Sequence, residues 1–228
     1  MSSRSHPLES IRARIAAACQ RSGRDPASVR LVVVSKTRSP EAIREVAAHG
    51  QTLFAENRVQ EARDKIPLIG NPTLTWHLIG PLQRNKVKHA VEIFSMIHSV
   101  DSLELAEEIS RRAERIRPMP VLMQVNVGRE PQKSGIAPEE ALEMARAMAH
   151  FPGIALQGLM TIPPLCDEAE EARPWFRTLA TLRASLEAEA IPGIALGELS
   201  MGMSHDFEVA VEEGATLVRI GSALFASA

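Results

Sequence analysis

Leu31-Val32-Val33-Val34-Ser35-Lys36 is a short apolar, β-branched run of the kind that a strand buried on both faces requires. Ser39-Pro40-Glu41 then supplies an N-cap, a first-turn proline and a first-turn acid, and Gly50 stops the helix they open. The same unit of strand, helix and stop recurs down the chain. Thr52 to Asn57 is a second strand followed by a helix over Val59 to Ile66, and Leu74 to Gly80 a third followed by Asn85 to Glu92. Met96 to Val100 is the fourth, with Asp101 and Glu104 resembling a capping box for a helix that runs to about Arg115. Pro120 to Asn126 leads to a helix from Pro138 to about His150, and Ile154 to Met160 to a long helix within Asp167 to Ala190. Gly197 to Met201 precedes a helix over Asp206 to Glu213, and Leu217 to Gly221 is the eighth strand. Upstream of all this, Leu8, Ile11, Ile15, Ala16 and Cys19 give Leu8 to Arg21 the spacing of an amphipathic helix.

Eight strands alternating with helices call for parallel strands and predict a single (β/α)8 barrel spanning residues 1–228, with an extra N-terminal helix. The rival, a doubly wound sheet, usually carries a glycine-rich phosphate loop after its first strand. Neither G-x-G-x-x-G nor a P-loop motif occurs.

Composition narrows the function. A formal net charge of −2 gives no electrostatic reason for a nucleic-acid or anionic-membrane partner. Cys19 and Cys166 are too few for a disulfide framework and point to reduced thiols in a cytoplasm. Met1 to Glu9 is polar and lacks the apolar stretch of a secretory signal, and the uncharged run Phe151 to Cys166 is too short and too broken by proline to span a bilayer. The seven histidines show no H-x-x-x-H or H-E-x-x-H spacing, so no metal site is expected.

In a barrel of this kind functional residues lie at the C-terminal strand ends. Here those ends read Lys36, Asn57, His77 with Gly80, His98, Asn126, Met160, Ser200 to Ser204, and Arg219 with Gly221. A lysine that ends an apolar strand is drawn out of water, which favours the neutral, nucleophilic amine that Schiff-base chemistry uses. The plainer alternative is a lysine snorkelling to solvent. Lys65, Lys86, Lys88 and Lys133 fall on helices or in a loop, and Arg84, Lys86 and Lys88 read as a solvated face. Ser204, before a helix start, either caps that helix or joins its free amides in a phosphate seat. Val218-Arg219-Ile220-Gly221-Ser222 brings a second set of amides to the place where barrels bind phosphate. Arg219 shares the parity of Leu217 and Gly221, so it faces inward if Gly221 faces the mouth; an ion pair or an outward position is the alternative.

Val33-Val34-Ser35-Lys36-Thr37, Phe54-Ala55-Glu56-Asn57, Trp76-His77-Leu78-Ile79-Gly80-Pro81-Leu82-Gln83, Lys133-Ser134-Gly135, Gly158-Leu159-Met160, Ser200-Met201-Gly202-Met203-Ser204 and Val218-Arg219-Ile220-Gly221 together resemble the pyridoxal 5′-phosphate homeostasis protein family, over nearly the whole chain and in order. The resemblance implies a barrel similar to the N-terminal domain of alanine racemase (PLP fold type III). It also implies pyridoxal 5′-phosphate (PLP) held as a Schiff base on Lys36. Ser204, Gly221 and Ser222 would contact the phosphate, Arg219 the pyridine nitrogen, and Asn57 and Met160 the pocket wall, with His77 expected among the cofactor-binding residues. Such proteins are expected to buffer PLP or deliver it to apo PLP-dependent enzymes, without turnover. The chain departs from common family residues at Arg38, Ala55, Arg58 and Ala226. A PLP-dependent racemase is the alternative, but related racemases take a tyrosine from a second domain and this chain has no tyrosine. A lysine-dependent aldolase would keep Lys36 without PLP.

Overall fold

The computed structural model describes residues 6–225; Met1 to Ser5, whose polarity entered the reading of the N-terminus, and the departure at Ala226 lie outside the described residues. Eight parallel strands close into a barrel in sequence order: β1 (Arg30–Val34), β2 (Leu53–Glu56), β3 (Thr75–Leu78), β4 (Met96–Val100), β5 (Met119–Gln124), β6 (Ile154–Met160), β7 (Glu198–Ser200) and β8 (Leu217–Ile220). β1 closes the ring on β8, with Val32 opposite Arg219 and Val33 opposite Ile220. The expected (β/α)8 barrel is the observed fold.

Between the strands run α2 (Pro40–Ala48), α3 (Val59–Ile69), α4 (Val87–Ile93), α5 (Leu103–Ala113), α6 (Ala141–Met148), α7 (Arg173–Ala188) and α8 (Phe207–Glu212). Ser39 caps α2 by accepting from Ala42 N at 3.3 Å. The cap of α5 is Ser102 rather than Asp101: the Ser102 hydroxyl accepts from Leu105 N at 3.3 Å, and with leucine at that third position the expected capping box does not form. The extra helix α1 (Pro7–Arg21) buries Leu8, Ile11, Ile15, Ala18 and Cys19. Arg14 and Arg21 pair with Glu208 and Glu212 of α8, while Arg12 donates to the carbonyls of His49 and Gly50 after α2. α1 therefore fills the place in the helical ring between α8 and α2.

Alternation along the strands sorts side chains into two environments. Val33, Phe54, Leu78, Ile97 and Val218 pack outward against the helices in the main core. Val32, Ala55, Met96, Leu122, Met160 and Leu217 fill the barrel interior with an apolar layer. Beyond that layer, toward the C-terminal strand ends, the inward positions turn polar: His98 follows Met96 and Arg219 follows Leu217 by two residues. Among the described residues no helix is long and apolar enough to cross a membrane.

Candidate functional site

A pocket of about 460 Å³ opens at the C-terminal end of the barrel, within the size range of small-molecule sites. Its lining includes Lys36, Asn57, Ser204, Arg219, Gly221 and Ser222. Six residues from four strand ends, far apart in sequence, thus meet in one cleft.

Lys36 follows β1 and stands exposed at the rim, so the structure does not place its amine out of water as the sequence suggested. The backbone turns sharply behind it, with Thr37 in the left-handed region at φ 63° and Arg38 N donating to Ser35 O at 3.1 Å. The turn carries the lysine off the strand before the apolar interior can bury it.

Arg219 faces inward and is buried. It donates to Ser200 Oγ at 2.6 Å and to the Thr161 carbonyl at 2.8 Å, so no ion pair is needed to hold it. Burial pulls its pKa down to about 10, opposed by the charge of Asp206, and the guanidinium stays protonated at neutral pH. Behind it runs a chain of buried groups: Ser200 Oγ lies 2.9 Å from His98 Nδ1, and His98 Nε2 lies 2.9 Å from His77 Nδ1. Guanidinium groups only donate, so Ser200 accepts from Arg219. The buried Ser200 hydroxyl proton needs an acceptor in turn, and His98 Nδ1 is the one it reaches among the described residues. His98 then carries its proton on Nε2 and donates to His77. Burial, with Arg30 adding to it, pushes the His77 pKa down to about 3. Burial also holds His98 well below the usual histidine range, with the charges of His77 and Arg219 adding to it. Both rings are neutral.

On the far side of the pocket, Ser204 Oγ and Ser222 Oγ lie 3.1 Å apart, joining the β7–α8 loop to the turn after β8. Gly202, at φ 89°, lets the first of these loops bend, and a Cβ there would come within 2.5 Å of Ala210 Cβ. Asp206 closes the loop by accepting from Met203 N at 2.6 Å, and burial raises its pKa against that bond and the Arg219 charge. A Cβ on Gly221 would lie 2.9 Å from Val34 O. Its absence keeps this corner of the cleft open.

Two expected cofactor-binding residues do not line the cleft. Met160 belongs to the apolar layer beneath it, and His77 sits behind Arg219 at the end of the histidine chain. Lys133 is engaged elsewhere, donating to Pro163 O at 2.7 Å beside Glu130. The Ser200–His98–His77 chain escaped the sequence reading, although all three positions were legible as strand ends.

An exposed primary amine, a fixed cationic donor and a pair of hydroxyls beside backbone amides form a donor set that fits an aldehyde, a ring nitrogen and a phosphate. The family model described as alanine racemase, N-terminal domain, matches residues 7–228. A protein of Aquifex aeolicus named pyridoxal phosphate homeostasis protein is 46% identical over 219 residues, covering 96% of this chain and 95% of its own. The chain belongs to the pyridoxal phosphate homeostasis protein family. A Pseudomonas aeruginosa member of that family is 43% identical over 226 residues, covering 99% of this chain and 96% of its own. PipY of Synechococcus elongatus PCC7942, solved with PLP bound, is 43% identical and superposes with a TM-score of 0.82 over 94% of this chain and 99% of its own. Alanine racemase from Corynebacterium glutamicum shares the fold at 18% identity, with a TM-score of 0.66 over 95% of this chain and 60% of its own.

Proposed function

We propose that this protein binds PLP in the cleft, holds it covalently on Lys36, and buffers it or delivers it to apo PLP-dependent enzymes in the cytoplasm, the whole of 1–228 acting as one domain. The observation that carries this reading is the meeting of Lys36, Arg219, Ser204 and Ser222 in one pocket. The family's name and the PLP in the Synechococcus relative support it. When bound, PLP supplies an aldehyde that condenses with amines and a ring that draws electrons from them.

The residues divide the work. Lys36 offers the amine. Ser204 and Ser222, with the amides around Gly221, receive the phosphate, each charge-assisted bond contributing roughly 1.5–3 kcal/mol. Arg219 donates to the ring nitrogen and Asn57 walls the cleft. Met160 and His77 act from below, the first as apolar floor and the second through His98 and Ser200. Arginine holds no proton it can give up, so the ring nitrogen opposite it stays unprotonated and draws electrons weakly. That favours holding over turnover.

A visible absorption spectrum taken before and after borohydride, followed by mass mapping, tests the reading. The expected result is a yellow protein whose trapped adduct maps to Lys36 and vanishes in Lys36→Ala, with pyridoxal bound far more weakly than PLP. An adduct of unchanged yield on another lysine would sink the assignment.

A further inference from the structure

Both neighbours of Lys36 are held from outside the barrel, by groups the pocket does not contain. On one side, Ser35 Oγ donates to Glu56 Oε1 at 2.7 Å and the Ser35 carbonyl accepts from Lys65 Nζ at 2.9 Å. On the other, Thr37 N donates to Glu61 Oε1 at 2.5 Å. That oxygen also accepts from Lys65 Nζ at 2.6 Å, and Lys65 spends its third donor on Glu56 Oε1 at 2.9 Å. An ammonium group has three donors, and all three are used here.

Three features say that this cluster does more than join α3 to β2. Lys65 and Glu56 are buried, and Glu56 Oε2 has no partner among the described residues, which makes the arrangement a costly way to fill space that apolar side chains of the same volume would fill as well or better. Thr37, a β-branched residue, is held at φ 63°, a conformation that persists only where the surroundings impose it. The bonds converge on the backbone either side of Lys36, not on its side chain, which is exposed at the pocket rim.

We propose that Lys65, Glu61 and Glu56 are positioning residues for Lys36: they clamp the turn at Ser35 and Thr37 so that the Lys36 amine approaches the cleft from a fixed origin. The inference rests on Lys36 being the point of PLP attachment. In that step the Lys36 nitrogen adds to the aldehyde carbon, a C=N bond replaces C=O, and the oxygen leaves as water. The cluster exchanges no proton in it; it sets where the amine starts.

The test compares two ligands on the full chain. PLP reports the pocket together with attachment, whereas 4′-deoxypyridoxine 5′-phosphate has a methyl group in place of the aldehyde and reports the pocket alone. Glu61→Ala is expected to slow borohydride-trapped attachment at Lys36 and weaken PLP binding by about tenfold or more, leaving 4′-deoxypyridoxine 5′-phosphate affinity within about twofold. Glu61→Gln, which keeps an acceptor for Thr37 N, should recover most of the loss. The double variant Lys65→Met with Glu56→Gln leaves no unpaired buried charge and should behave like Glu61→Ala; it decides the matter if Glu61→Ala fails to fold. Unchanged attachment in the folded variants, or parallel loss of both ligands, would overturn the positioning role. Failure of the attachment reading looks different: the unaltered protein would bind PLP yet trap nothing at Lys36, and this inference would fall with it.

Discussion

A guanidinium has five N–H donors and no acceptor. Arg219 uses donors on Ser200 and Thr161 and is among the residues that line the cleft. In the proposed binding mode, with Arg219 opposite the ring nitrogen, loss of an α-proton from a bound amino acid would be poorly stabilised, and the chain has no tyrosine to return one from the opposite face. PLP-loaded protein incubated with L-alanine in deuterated water is therefore expected to show negligible α-proton exchange by NMR. Rapid exchange lost in Lys36→Ala would favour the racemase reading. The histidines behind Arg219 yield a second expectation at this scale. Below its ordinary pKa of 6.5 the unfolded chain takes up a proton at His77 that the folded protein refuses until about pH 3. Stability falls as pH drops through that window, by about 1.4 kcal/mol per unit at full effect. Urea midpoints measured between pH 7 and 5 should drop less steeply in His77→Gln than in the unaltered protein. Superimposable slopes would remove His77 as the group responsible.

At the scale of elements, one exacting contact lies where the ends of β2 and β3 meet. A Cβ on Gly80 would sit 2.2 Å from Asn57 O and 2.8 Å from Asn57 Cα, and both residues line the cleft. Neither backbone can yield without moving the wall. Gly80→Ala is expected to cost about 1–3 kcal/mol in urea unfolding and to weaken PLP binding as well. A stable variant with normal affinity would show that the two segments slide freely. The same scale shows what the sequence made legible. β4 and β6 begin and end where their patterns say. β1 stops two residues short of Lys36 because the turn at Thr37 depends on Glu61 and Lys65, which no local pattern reveals. Lys36, Ser204 and Arg219 could be found because strand ends converge once alternation implies a barrel. The cluster behind Lys36 could not, since Glu56 and Lys65 read one at a time look like solvated charges. A faint signal existed: Glu56 shares the outward parity of Phe54, and Glu61 and Lys65 stand four apart on one helix face.

For the whole molecule, closure depends on the two ends of the described chain. β8 pairs with β1, and α1 covers the flank between α8 and α2. Deleting residues 1–21 should uncover the apolar surface that Leu8, Ile11 and Ile15 occupy, giving a protein that binds a hydrophobic dye and loses its sharp thermal transition. An intact, cooperative transition after deletion would show that α1 is dispensable. α1 has a further consequence during synthesis. Arg14 and its partner Glu208 are 194 residues apart, so the first helix made must wait for the last. At ordinary translation speeds that wait is roughly 10 to 40 s. Throughout it α1 has its contact after α2 but lacks α8, so this protein's exposure to chaperones and to self-association is set by how fast a ribosome reaches α8.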